Sequence, residues 1–247
     1  MLRLLEARNI DDLNKNQLQS YLLWLFEKHN YSAANLHTTI NAIKFYFEKV
    51  LNRNKELYNL PRPKKPQKLP DVMAEEEMTE LFTGIENLKH KALLMTCYSA
   101  GLRVSELVHL KVTDIDSKRM LIHVRLGKGK KDRFVPLSRK VVEILREYYK
   151  AYRPKIYLFE GMNGDAYSSR SAQLVLKQAK AKARIYKQGS VHGLRHTYAT
   201  HLLEHGTDIR YIQQLLGHNS LKTTMRYTHI AVKSIANIQS PIDRLNL

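Results

Sequence analysis

Toward its C-terminus the chain carries His192 and Arg195 within HGLRH, then His218 at the end of LLGH, then Tyr227. Arg103 stands far upstream in GLRVSEL, and Lys128 lies between them in the glycine-flanked turn GKGKK. Two guanidiniums, two imidazoles, an ammonium and a phenol are suited to holding a phosphodiester and attacking it without a metal. Attack at phosphorus gathers negative charge on the non-bridging oxygens, and forked arginine side chains match that geometry better than a point-charge lysine. A free phenol has a pKa near about 10, so Tyr227 would need nearby cations and a proton acceptor.

Each of these residues also has a plainer reading. His192 and Arg195 are i, i+3 partners on one helix face, and His196 flanks that face. His196 and His201 read first as buried, hydrogen-bonded residues. His201 and His205 form a second i, i+4 pair, which raises a zinc site as an alternative, but HExxH is absent and no further ligand type stands out. The expectation is therefore no metal and no cofactor. GKGKK does not match a nucleotide-binding P-loop and joins strands rather than a strand and a helix. Its Lys128 either projects into a cleft or sits in a solvated basic turn. Tyr227 is one of fourteen tyrosines, and its interest is its place nine residues after His218.

The elements that must position these residues are mostly helical. Leu18, Tyr21, Leu22, Leu25 and Phe26 follow a helical period. Ser32 predicts the cap of a second helix with Leu36, Ile40, Ile43, Phe47 and Val50 on one seam. Thr38, Thr39, Asn41 and Lys44 fall away from that seam, as a solvated face or a DNA-reading one. Residues 61–70 (PRPKKPQKLP) hold four prolines with Arg62, Lys64, Lys65 and Lys68 and no acid. Such a segment is an extended basic strap or an ordinary linker. Beyond it, Glu75, Glu76 and Glu77 suit a helix start. Leu93, Leu94 and Cys97 lead a helix to a stop at Gly101, and Arg103 opens the next, carrying Val104, Leu107 and Val108. Residues 120–126 alternate as a strand, RFVPL returns as another, and helices come next near 139–152 and 170–184, the latter capped by Ser168 or Ser169. The rest, 190–239, reads as helices broken at Gly206, Gly217 and Pro241, with Asn219 or Ser220 capping a short helix that carries Tyr227. Residues 231–239 could dock as a helix on a neighbour or pack on their own subunit.

Lys plus Arg number 41 against 23 Asp plus Glu, for a formal net charge of +18 over 247 residues. That balance favours a polyanionic partner. Cys97 is the only cysteine, which excludes internal disulfides and cysteine-rich zinc sites. No stretch approaches the roughly 18 apolar residues of a membrane span, and no secretory segment opens the chain. A soluble, cytoplasmic protein is the simplest expectation.

GLRVSEL, LGKGKKDRFVPL, VHGLRHTYATHLL and LLGHNSLKTTMRYTH, in that order, resemble the tyrosine recombinase (phage integrase, Xer-like) family. The resemblance implies a mainly α fold with a small antiparallel β-sheet, arranged as a two-domain, C-shaped DNA clamp. It places a short helical core-binding domain at 1–60, a basic linker at 61–70 and a catalytic domain at 71–247. It assigns Arg103 and Arg195 as catalytic arginines, Lys128 as the hairpin lysine, His192 and His218 as the paired histidines, and Tyr227 as nucleophile. Glu106 would support the first arginine. His192 would handle the phenolic proton, His218 would orient the phosphate, and Lys128 would protonate the departing 5′-oxygen. Lys44, Arg62, Lys64, Lys65, Lys68, Lys130, Lys131 and Arg133 would contact DNA. The implied activity is site-specific recombination through a 3′-phosphotyrosine and a Holliday junction, by a tetramer on double-stranded DNA, without metal or ATP. A type IB topoisomerase and a non-catalytic DNA-binding protein on the same scaffold stand as alternatives.

Overall fold

The computed structural model describes residues 9–54, 71–125, 132–187 and 189–228. The linker 61–70, the turn 127–131 and the segment 231–247 therefore lie outside the described residues, and with them Arg62, Lys64, Lys65, Lys68, Lys128, Lys130, Lys131 and Pro241. Contacts divide the chain into two compact units, Met1–Lys68 and Leu69–Leu247.

In the first unit, Asn14 caps α1 (Lys15–Glu27) by accepting from the Gln17 amide while the Gln17 side chain accepts from the Asn14 amide. Ser32 caps α2 (Ala33–Phe45) through the Asn35 amide, as its position predicts. Leu18, Leu22 and Leu25 of α1 bury against Leu36, Ile40 and Ile43 of α2. Two expected core residues stay out. Phe26 is 54% exposed, because it lies on the edge of the stripe set by Leu18, Leu22 and Leu25. Val50 is 57% exposed. After α2 the backbone widens into a π-helical turn, Tyr46–Val50, closed by Leu51 N–H donating to the Tyr46 carbonyl at 3.0 Å. That extra residue keeps Phe47 in the core and rotates Val50 off the seam. On the polar face, the Thr38 and Thr39 hydroxyls donate back to the Ala34 and Asn35 carbonyls, and Lys44 faces Glu48 at 3.7 Å.

The second unit is mostly helical around a small antiparallel sheet. Its elements are α3 (Glu75–Thr83), α4 (Leu88–Ser99), α5 (Val104–Val108), β1 (Ile115–Asp116), β2 (Leu121–Val124), β3 (Arg133–Pro136), α6 (Arg139–Tyr152), α7 (Ser169–Lys182), α8 (Val191–Glu204), α9 (Ile209–Leu216) and α10 (Leu221–Met225). The sheet order is β1-β2-β3, with Ile122 opposite Val135 and Val124 opposite Arg133. The alternation of 120–126 predicts one hairpin. The additional strand, β1, is only two residues long, too short to show a period. Met120 forms no part of β2; its φ of 56° makes it a turn residue.

Helix α4 sits at the centre of this unit, packed by α5, α6, α7 and α8. Its Leu93, Leu94 and Cys97 are fully buried. Each such leucine contributes about 1.5–3 kcal/mol by leaving water, so the end of α4 firmly anchors the turn beyond it. Helix α6 presents Val141, Leu145 and Tyr148 to the same core. Among the described residues no helix is long and apolar enough to cross a membrane.

Candidate active site

Helix α4 stops at Gly101, whose φ is +56°. A Cβ there would lie 2.4 Å from Tyr198 Cδ1, so both the left-handed turn and the close ring demand glycine. The chain then reverses into α5 with Arg103 at its N-cap. Glu106, three residues on, accepts from the Arg103 amide at 2.9 Å and from Arg103 Nη1 at 2.7 Å. Arg133 arrives from β3 and forks onto both oxygens of the same carboxylate, at 2.9 and 2.8 Å. Arg195 Nη1 stands 3.9 Å away. Burial alone would raise the Glu106 carboxyl, but the Arg133 and Arg103 bonds overcome it and hold its pKa down at about 2.

Arg195 is fully buried on α8. Its Nη1 donates to the Gly101 carbonyl at 2.8 Å and its Nη2 to the Leu216 carbonyl at the end of α9. Helix C-termini carry free carbonyls and partial negative charge, so a cation is favoured there. The neighbouring carbonyls are used the same way. Arg133 Nε donates to Leu215 at 2.8 Å, and Arg103 Nη2 reaches Gly217 at 3.5 Å. Three successive carbonyls thus each receive a different guanidinium. Among the described residues Arg195 Nε is buried with no hydrogen-bond partner.

Gly217, at φ +60°, ends α9 and turns the chain so that His218 faces back. His218 Nδ1 lies 2.9 Å from the Thr224 hydroxyl, which fixes the ring. Helix α10 ends at Met225, so Tyr227 stands in the turn beyond it and not on the helix itself. The Tyr227 ring is only 1% exposed. Its hydroxyl lies 2.9 Å from His196 Nδ1, and its ring stacks on His218 at 6.4 Å and 13°.

Arg103, His192, Arg195, His196, His218, Arg226 and Tyr227 line one cavity of about 240 Å³. Its imidazoles are neutral at pH 7. Burial, then the Arg195 and Arg103 charges, bring His218 to about 4; burial, then His192 and Arg226, bring His196 to about 3. His192 is shifted downward by desolvation and then by Arg195. Burial raises the Tyr227 phenol, and the opposing pull of Arg195, Arg226 and Arg103 does not offset it. Arg195 itself is lowered to about 10 by burial and by Arg103. The site therefore holds a protonated phenol beside neutral histidines and cationic arginines.

The structure thus brings Arg103, His192, Arg195, His218 and Tyr227 together, with Glu106 behind them. Lys44 lies in the first unit. The histidine against the phenol is His196, not His192, and its hydrogen bond there agrees with the reading of His196 as a hydrogen-bonded residue. His201 does sit buried, on the Tyr98 hydroxyl at 2.7 Å. Thr224 and Arg226 were also missed. Arg226 was legible only as a cation beside Tyr227, and Thr224 carried no signal. Among the described residues no three His, Cys, Asp or Glu side chains cluster as a metal would require.

Arg133, expected on DNA, has Nε and both amino groups on protein oxygens and only 9% of its side chain exposed. The pull of the buried Glu106 carboxylate is the reason. Arg133→Gln is expected to cost about 1.5–3 kcal/mol of stability and to leave the salt dependence of DNA binding unchanged. A slope reduced by about one in a log–log binding plot would restore Arg133 to the phosphates.

The model of the phage integrase family matches residues 71–234, and that of the phage integrase N-terminal SAM-like domain matches residues 1–56. The chain belongs to the phage integrase family. It is 44% identical over 240 residues to y4qK of Sinorhizobium fredii, covering 95% of this chain and 77% of that protein. It is 35% identical over 247 residues to tyrosine recombinase XerC of Staphylococcus saprophyticus, covering 94% of this chain and 83% of that one. A crystal structure of XerA recombinase matches with a TM-score of 0.64 and 30% identity, over 97% of this chain and 88% of the other. Relatives such as XerC are named tyrosine recombinases, and this chain is a DNA strand-transferring enzyme of that kind.

Proposed function

We propose that this enzyme is a site-specific recombinase that breaks duplex DNA through a 3′-phosphotyrosine and rejoins it to a different 5′-hydroxyl. The observation that carries this reading is the convergence of two arginines, paired histidines and the Tyr227 hydroxyl on one cavity. A scissile phosphate seated there takes charge-assisted bonds from Arg103 and Arg195. The orphaned Nε of Arg195 supports such a guest, since a buried unpaired donor costs about 1–3 kcal/mol that an anionic oxygen would recover. His192 and His218 donate to the remaining oxygens.

Tyr227 Oη then bonds to phosphorus as the bond to the 5′-oxygen breaks. Lys128 supplies the proton that the departing oxygen needs. The phosphotyrosyl ester retains the energy of the broken bond, so a second 5′-hydroxyl reverses the step without ATP. Two such exchanges pass through a Holliday junction, which calls for a tetramer on paired DNA sites. Lys44, Arg62, Lys64, Lys65, Lys68, Lys130 and Lys131 track phosphates, and binding weakens steeply with salt. The two domains, 1–60 and 71–247, would each contact duplex DNA, and the work is cytoplasmic.

The test is covalent capture from a pool of randomised duplexes, each nicked so that the short 5′-product escapes. Adduct is expected in EDTA, and duplexes so selected should exchange strands in pairs. Adduct lost in EDTA and restored by Mg²⁺ would overturn the metal-free mechanism. Relaxation of supercoils without exchange would instead favour a topoisomerase.

A further inference from the structure

His196 is the residue on which the phenol rests. Among the described residues the Tyr227 hydroxyl makes its hydrogen bond to His196 Nδ1, at 2.9 Å. Neither paired histidine has that contact. The His192 ring meets His196 edge-on, with centroids 4.4 Å apart. His218 lies parallel to the phenol ring, and its Nδ1 is engaged with Thr224. The phenol keeps its proton and the imidazole is neutral, so in the Nε2–H tautomer of His196 Tyr227 donates and Nδ1 accepts, and that tautomer is the one the transfer uses.

We infer that His196 Nδ1 takes the phenolic proton of Tyr227 as the bond from Tyr227 Oη to phosphorus forms. The inference rests on the recombinase reading of the site and assigns the one proton transfer that reading leaves open. Atoms balance: the Oη–P bond forms and the bond from phosphorus to the 5′-oxygen breaks. The phenolic proton moves to His196, and the 5′-oxygen takes a proton from the acid on its own side. Religation runs the transfers backward.

The surroundings make the transfer sensitive to substrate. His192 and Arg195 on α8, His218 after α9 and Arg226 after α10 all oppose a cation at His196. With the imidazole at about 3 and the phenol raised above its ordinary value, the proton stays on Tyr227. A phosphate anion in the cavity offsets part of that positive field and so favours an imidazolium. The transfer is therefore easier once the target is seated.

The test uses the full chain and the duplex captured above, prepared with an ordinary 5′-oxygen or a bridging 5′-sulfur at the scissile position. Sulfur leaves without a proton, so it repairs defects in the acid and not in the nucleophile's proton acceptor. His196→Ala is expected to slow single-turnover adduct formation by about 10²-fold or more on both substrates, with DNA affinity unchanged. His196→Asn, which keeps an acceptor oxygen near Nδ1 but cannot carry the proton, is expected to remain comparably slow, and it bears the test if the alanine variant fails to bind DNA. Wild-type rates in His196→Ala, recovery in His196→Asn, or recovery on the sulfur substrate would each overturn the inference. Adduct formation by Tyr227→Phe, or none by wild type, would instead overturn the recombinase reading itself.

Discussion

Tyr227→Phe is expected to abolish the covalent adduct while leaving the fold and DNA binding in place. The change removes one oxygen. The ring keeps its buried seat and its stack on His218, and the lost bond to His196 costs about 1 kcal/mol. The chemistry has no substitute, because the arginines of the cavity hold charge and cannot form the ester. Single-turnover capture should fall by on the order of 10⁴-fold or more, with DNA affinity by gel shift within about threefold. Fourteen tyrosines give other phenols in the chain, so residual adduct at a fraction of the wild-type rate would mean that another one attacks.

The second large effect is on stability. Glu106 is 5% exposed and gathers Arg103 and Arg133 by hydrogen bonds, with Arg195 within 3.9 Å. Removing it by Glu106→Ala leaves these guanidiniums facing one another with no counter-charge. Breaking a buried ion pair from one side costs about 3–5 kcal/mol, which for a chain of this size lowers Tm by roughly 6–20 °C. Glu106→Gln is expected to fall between, since one amide oxygen can still accept while the amide nitrogen opposes a donor. A Tm within about 2 °C of wild type for the alanine variant would show that solvent or the peptide carbonyls neutralise the cluster without the carboxylate.

The parts of this molecule that were legible in its sequence are those set by neighbours along the chain. Ser32 and Ser168 cap where a short hydroxyl precedes an apolar period. Gly101 and Gly217 stop their helices because each stands where the backbone turns left-handed. The order of motifs placed the arginines, His218 and Tyr227. The features that escaped depend on distances the chain does not spell out. His196 and Tyr227 are 31 residues apart, and only the packing of α8 against the turn after α10 joins them. Arg133 reads as one more basic residue after a lysine-rich turn. Its commitment to Glu106 and Leu215 comes from the place of β3 beside α9. Val50 left its seam because a single π-helical turn shifted the phase, which no apolar pattern announces.

The carbonyls of Leu215, Leu216 and Gly217 act as a common rail for the guanidiniums of Arg133, Arg195 and Arg103. Whatever pushes the end of α9 therefore displaces all of these charges together, and His218 with them. A shift of that short stretch of peptide would move the positive charge of the site as a block, with no reacting group touched directly.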